Sequence, residues 1–229
     1  MLKKFRERNS TFESGDIDDF KGLVSEYADL GDLKKYLSSA TISDELFRQI
    51  FFQILYTLSI IYEKYPNFYQ GDFKIDNILV CSIIDDRKKY IKYEIMKKTY
   101  YLPCSGFQLR LWDFDKCDLG TEKGESGINK DIDLFVRSLL DEFEDSLRGD
   151  TKDFIGEIAS RDNITPYGFE EYNERRNLET LLEIIWNESS FFKPFLKEPE
   201  EGEEITEQYN SDIILSKIIQ KPKVVENYF

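Results

Sequence analysis

A wide apolar stripe sets the first limit on what this chain can fold into. From Ser43 onward, Leu46, Phe47, Ile50, Phe51, Ile54, Leu55, Leu58 and Ile61 recur at helical spacing, and a stripe that broad belongs to a largely buried helix. Ser43 suits the N-cap and Glu45 the first turn, while Pro66-Asn67 ends the run. A helix buried on several sides needs other layers around it. The chain has 229 residues, 41% of them hydrophobic, which is enough for a sizeable core.

Those layers can be placed coarsely. Asp32 caps a short helix through Leu37, and Ile78-Leu79-Val80 is a compact strand. From Tyr90 to Trp112 the pattern turns β-like: Tyr90, Ile91, Tyr93, Ile95, Tyr100, Tyr101 and Leu102 are strand-prone, and Gln108, Arg110 and Trp112 alternate with Leu109 and Leu111. This predicts two or more antiparallel strands. Past the glycine-rich stretch from Gly120 to Gly127, helical spacing returns at Ile132, Phe135, Val136, Leu139, Leu140 and Phe143, then around Phe154 to Ile158 and Leu178 to Trp186. Upstream, Leu23 to Tyr27 is strand-like and stops at Ala28-Asp29-Leu30-Gly31. The expected class is α+β, mainly helical.

Charge and composition exclude several functions. Asp and Glu number 45 against 31 Lys and Arg, a formal net charge of −14, which disfavours general nucleic-acid binding. The sequence contains no histidine, so Ser-His-Asp and Cys-His nucleophiles, histidine zinc sites and every histidine general base are excluded. Chemistry must run on carboxylates, lysine or metal. Cys81, Cys104 and Cys117 match neither a disulfide framework nor a zinc ribbon. With no signal-peptide run and no membrane-spanning stretch, the expectation is a soluble, cytoplasmic chain.

The chemistry-bearing elements are Gln70-Gly71-Asp72-Phe73-Lys74-Ile75-Asp76-Asn77, just before the strand at Ile78, and Leu111-Trp112-Asp113-Phe114-Asp115. Together they supply a carboxylate base, a cation and two hard oxygen ligands. Phosphoryl transfer needs that set, because Mg²⁺ prefers oxygen ligands and the moving phosphoryl group needs positioned cations.

The first segment resembles the catalytic loop of the protein kinase superfamily, and the second its metal-binding Asp-Phe-Gly motif. Leu23 to Gly31 resembles the last N-lobe strand and hinge, Ser43 to Tyr65 the long helix before the catalytic loop, and Asp131-Ile132-Asp133-Leu134-Phe135 the start of the central C-lobe helix. Lys64 to Phe68, the hairpin-like Tyr93 to Phe107 insert and Arg110 to Asp115 are most similar to the divergent serine/threonine kinases of nucleocytoplasmic large DNA viruses. The resemblance implies that Asp72 accepts or orients the substrate hydroxyl proton and that Lys74 neutralises the γ-phosphate. It implies Asn77 and Asp113 as Mg²⁺ ligands against ATP, Glu26 and Ala28 as hinge contacts to the nucleotide, and Asp131 as a structural carboxylate bonded to catalytic-loop N–H groups.

The same resemblance implies three regions: a stub at 1–22 in place of most of the N-lobe, a kinase-like C-lobe at 23–197 with an inserted β-hairpin, and an acidic linker and C-terminal segment at 198–229. No Gly-x-Gly-x-x-Gly loop or Val-Ala-Ile-Lys strand precedes Leu23. Gln70 and Gly71 stand for the usual His and Arg, and Asp115 for the usual Gly. Three functions therefore stay open: a phosphotransferase acting on a protein substrate, either minimal or completed in trans by a partner supplying the N-lobe; a pseudokinase-like module engaging a partner kinase or a virion component; and a small-molecule kinase. A viral chain would work in the host cytoplasm or the virion.

Three further stretches carry expectations. The Tyr- and Lys-rich residues 88–101 read best as a solvated hairpin with edge lysines. Phe191-Phe192-Lys193-Pro194-Phe195 reads as the end of a helical subdomain packing on the core, and Pro199 to Glu204 as a solvated linker.

Overall fold

A computed structural model describes residues 27–65, 68–118, 127–161, 185–187 and 189–208. The expected stub at 1–22, the strand at Leu23 to Glu26, most of the Leu178 to Trp186 helix and the apolar run from Ile213 to Ile219 lie outside them.

The described fold is mixed α and β. Helix α1 spans Leu33–Ser39, capped by Asp32, which accepts the Lys35 N–H at 2.7 Å. Helix α2 spans Asp44–Lys64, capped by Ser43, whose Oγ accepts the Leu46 N–H at 3.2 Å. A 3₁₀ turn at Ile75–Asn77 leads into strand β1, Ile78–Ile95, and strand β2 covers Lys98–Leu111. Helices α3 (Gly127–Phe143) and α4 (Gly149–Arg161) follow, and then strand β3, Glu204–Gln208. The sheet order is β2-β1-β3, with β1 antiparallel to β2 and parallel to β3. Among the described residues, no helix is long and apolar enough to cross a membrane.

The hairpin differs from its expectation in two ways. The compact strand at Ile78 and the tyrosine-rich region form one ladder, paired from Ile78↔Leu111 to Ile95↔Lys98 and closed by a two-residue turn with Met96 and Lys97 both at positive φ. Positive φ at both turn positions matches the right-handed twist of the strands. Nor is the hairpin a solvated excursion. Tyr93 and Ile95 on β1 and Tyr100, Leu102 and Cys104 on β2 are buried at every second position, which gives one face to the core, and Phe107 is buried beyond a break in that alternation. The lysines occupy other positions: Lys98 donates to the Trp186 carbonyl at 3.0 Å, and Lys89 pairs with Glu204 at 3.1 Å. The acidic run is largely exposed, as its charge predicts, yet it feeds β3 onto the β1 edge. Covering that edge shields unpaired backbone groups.

Helix α2 is the centre around which these layers assemble. Phe52, fully buried, meets the rings of Tyr93 and Tyr100 from the hairpin and of Trp186, Phe192 and Phe195 from the C-terminal part, with centroids 5.2–5.6 Å apart and steeply inclined planes. Edge-to-face contacts of this kind add to area burial. One turn of polar residues fixes the rest. Arg48 donates to the Phe191 carbonyl at 2.7 Å and pairs with Asp150 at 2.9 Å. Asp44 accepts from the Thr151 N–H and hydroxyl at the start of α4, at 3.0 and 2.6 Å. The Phe191 to Phe195 stretch therefore packs on the core, as its aromatic content predicts.

Truncating the ring on which these layers converge leaves a large cavity. Phe52→Ala is expected to lower unfolding free energy by about 3–5 kcal/mol, measured by urea denaturation. A loss below about 1 kcal/mol would mean that the aromatic cluster does not hold the layers together.

Candidate active site

The segment after α2 folds by alternation. Phe73 and Ile75 are buried and pin the loop, while Asp72 and Lys74, which alternate with them, stay partly exposed. The Phe73 ring lies 6.0 Å from that of Phe135 on α3, and the Ile75 N–H donates to Ser138 Oγ at 3.2 Å. The loop closes on itself as well: the Asp72 carbonyl accepts from Lys74 N at 2.9 Å and from Asn77 Nδ2 at 2.8 Å.

Beneath the loop sits Asp131, completely buried at the start of the packed part of α3. Its Oδ2 accepts the Gln70 N–H at 2.8 Å and its Oδ1 the Gly71 N–H at 3.0 Å. Burial pushes its carboxyl up to about 6, against the pull of those two N–H groups. Gln70 is equally buried and works in both directions: its Oε1 accepts Asp72 N at 2.8 Å, and its Nε2 donates to the Trp112 and Asp113 carbonyls at 3.1 and 2.6 Å. One amide thus ties the Gln70 to Asn77 segment to the end of β2.

That tie brings the two candidate metal ligands to the same edge. Asn77 immediately precedes β1 and Asp113 follows β2 by two residues. The Trp112 N–H donates to the Asn77 carbonyl at 3.0 Å. Asp113 adopts φ 56°, a left-handed conformation that Asp tolerates better than most residues. With Asn77 Nδ2 given to Asp72, the Asn77 amide oxygen remains an acceptor. The half-buried Asp113 carboxylate makes no hydrogen bond or ion pair among the described residues. Two such oxygens fit a hard cation like Mg²⁺, which completes its shell with water and phosphate. The described residues hold no cluster of three or more Cys, Asp or Glu side chains that could bind a metal by themselves.

Asp72 itself is held from both sides. Lys74 Nζ lies 2.5 Å from Oδ1 and Lys116 Nζ 2.9 Å from Oδ2. Lys74 first, then Lys116, holds the Asp72 carboxyl below the usual carboxylate range, and Asp72 in turn raises Lys116. Gly71 makes the approach possible: it has φ 85°, and a Cβ there would lie 2.6 Å from the Lys116 carbonyl oxygen. Of the expected hinge contacts, Glu26 lies outside the described residues. Ala28 is half-buried in a turn, its carbonyl accepting Gly31 N at 3.3 Å, just before the backbone pairs with β1 through Leu30, Gly31 and Val80.

Sequence reasoning missed two participants. Lys116 carries no periodic or motif signal; the one available hint was Gly71, since glycine beside a functional carboxylate marks close backbone approach. Gln70 stands where the resemblance has histidine, but its double role follows from its burial.

No family model matches the chain, and no solved structure matches it. Two proteins of Acanthamoeba polyphaga mimivirus do, each named a putative serine/threonine-protein kinase. One is 34% identical over 121 residues, 50% of this chain and 25% of the relative. The other is 41% identical over 68 residues, 29% of this chain and 17% of the relative. The matches thus span a quarter or less of the relatives' length. They establish a kinase-like relationship to divergent viral kinases.

The Asp131 carboxyl makes a testable contribution to stability. A carboxyl whose folded pKa lies above its unfolded value binds its proton preferentially in the native state, so its stabilisation is complete below the unfolded value and lost as pH rises through the folded one. Between about pH 4 and pH 6, wild-type stability should therefore decline relative to Asp131→Asn by up to about 3 kcal/mol, read from urea titrations at each pH. A constant difference across that range would mean that the two N–H donors fully offset burial.

Proposed function

We propose that the chain is an ATP- and Mg²⁺-dependent phosphotransferase of protein kinase type, passing the γ-phosphoryl group to a protein hydroxyl. One observation carries this reading: Asp72, Lys74, Asn77 and Asp113 belong to a single hydrogen-bonded unit, braced by Asp131 below and Gln70 across. Polar residues on a solvated loop have no need of such bracing, whereas positioning is most of what phosphoryl transfer asks of a protein. The kinase-like relationship to the two viral proteins supports the same reading.

In the proposed reaction the substrate oxygen forms a bond to the γ-phosphorus while the bridging β–γ oxygen–phosphorus bond breaks. ADP leaves, and the hydroxyl proton passes to Asp72. Asp72, kept ionised by its lysines, orients the hydroxyl. Lys74 meets negative charge on the phosphoryl oxygens. Asn77 and Asp113 would hold Mg²⁺, which supplies charge neutralisation between the phosphates. Nucleotide binding is proposed to rest on these residues of the chain itself, and a partner chain is proposed to add a cover over the nucleotide that raises turnover. A protein substrate and cytoplasmic action, in the host or the virion, belong to the same proposal.

One observation favours the alternative, a pseudokinase-like interaction module: both oxygens of Asp72 are taken by ammonium groups. The two readings separate on nucleotide binding and turnover. With millimolar ATP and Mg²⁺, the midpoint of thermal unfolding should rise by several degrees, as about 2–3 kcal/mol of ligand stabilisation implies. Asp113→Asn should abolish the Mg²⁺-dependent rise. Asp72→Asn should keep it and lose about 10²-fold or more in turnover. No shift in the wild type, or both variants behaving like it, would overturn the phosphotransferase reading.

A further inference from the structure

Two ammonium groups on one carboxylate are more than its charge requires, and the two lysines are rooted differently. Lys74 sits in the loop that carries Asp72 itself, with its side chain 44% exposed. Lys116 comes from the segment after β2, and its backbone is trapped. Its carbonyl lies against Gly71, where any Cβ would meet it at 2.6 Å. Two residues on, Asp118 and Tyr69 exchange backbone hydrogen bonds at 2.8 and 2.7 Å, and Cys117 N donates to the Phe114 carbonyl at 3.1 Å. Only the Lys116 side chain is free to adjust, at 65% exposure, while that of Asp72 is 18% exposed. A partly buried carboxylate abandoned by its sole cation is costly, whereas one with two cations can release either.

We propose that Lys116 is a positioning residue, the standing counter-ion that stays on Asp72 Oδ2 when Lys74 leaves Oδ1 for the γ-phosphoryl group of ATP. The inference rests on the phosphotransferase reading and adds to it a residue outside both motifs. Lys116 touches neither nucleotide nor substrate in this arrangement; it acts through Asp72 and Lys74. Without it, Lys74 is the remaining cation for Asp72 and is held there, so the contact to the γ-phosphate is lost while contacts to the α- and β-phosphates are not.

The test is calorimetric binding of Mg-ATP and Mg-ADP to the full chain as wild type, Lys116→Met and Lys116→Arg. The expected result is that Lys116→Met loses about 5–10-fold in affinity for ATP and stays within about twofold for ADP, with Lys116→Arg restoring the wild-type preference. A Lys116→Met chain that keeps the wild-type ratio of ATP to ADP affinity overturns the inference alone. So does an equal loss for both nucleotides that Lys116→Arg fails to rescue, since that is the signature of a purely structural lysine. A wild-type chain that binds neither nucleotide overturns the phosphotransferase reading and this inference together.

Discussion

The geometry of the candidate site depends on a carboxylate that never reaches it. Asp131 is buried on the helix below, where an ionised group is unfavourable unless the surroundings supply donors. Its two oxygens take the N–H groups of consecutive residues, Gln70 and Gly71, at 2.8 and 3.0 Å. Two adjacent peptide units clamped in this way cannot rotate independently, so the direction of the chain as it enters Asp72 is set from beneath. Gly71 then needs its positive φ, and that φ together with the missing side chain admits the Lys116 backbone. Remove the clamp and each later relationship loses its reference: the Gln70 amide, the Asp72 carboxylate and the lysines around it.

A second dependence runs through α2. Its apolar stripe is broad because it faces three bodies: α3 and α4, the hairpin, and the C-terminal aromatic residues. The polar residues interrupting the stripe are used structurally as well. Gln53 Oε1 accepts the Leu109 N–H at 2.9 Å, and Gln49 Oε1 accepts the Ser105 hydroxyl. Buried or half-buried amides that accept from a strand N–H and a strand hydroxyl specify where along the helix the hairpin lies, which apolar contact alone would leave loose.

Much of this was legible in the sequence where the signal was local. Asp32 and Ser43 are the caps their residue types suggest, and the apolar positions Ile132, Phe135, Val136 and Leu139 are the buried face of α3. The order of Asp72, Lys74, Asn77 and Asp113 was readable because it is a motif; their convergence on one edge is a property of the β1–β2 pairing. Illegible parts share a cause. The run from Asp85 to Arg87 lies between the strand expected at Ile78 to Val80 and the hairpin expected from residue 88, yet it belongs to β1, since backbone pairing requires no apolar side chains. Lys116 meets Asp72 across 44 residues of sequence, and no pattern of spacing encodes that encounter.

The two-residue turn at Met96-Lys97 leaves this hairpin no slack. Its strands carry core tyrosines on one face and charged side chains on the other, and the ladder begins one residue beyond Asn77. A single-residue insertion near the turn would exchange the faces, sending lysines toward Phe52 and tyrosines to water. The two irregularities in β1, between Ser82 and Asp85 and between Asp86 and Tyr90, are where the ladder changes phase and where such an error could be absorbed. The hairpin thus acts as a ruler with two adjustable joints. Length variation in this region is tolerable at those joints and nowhere closer to the tip.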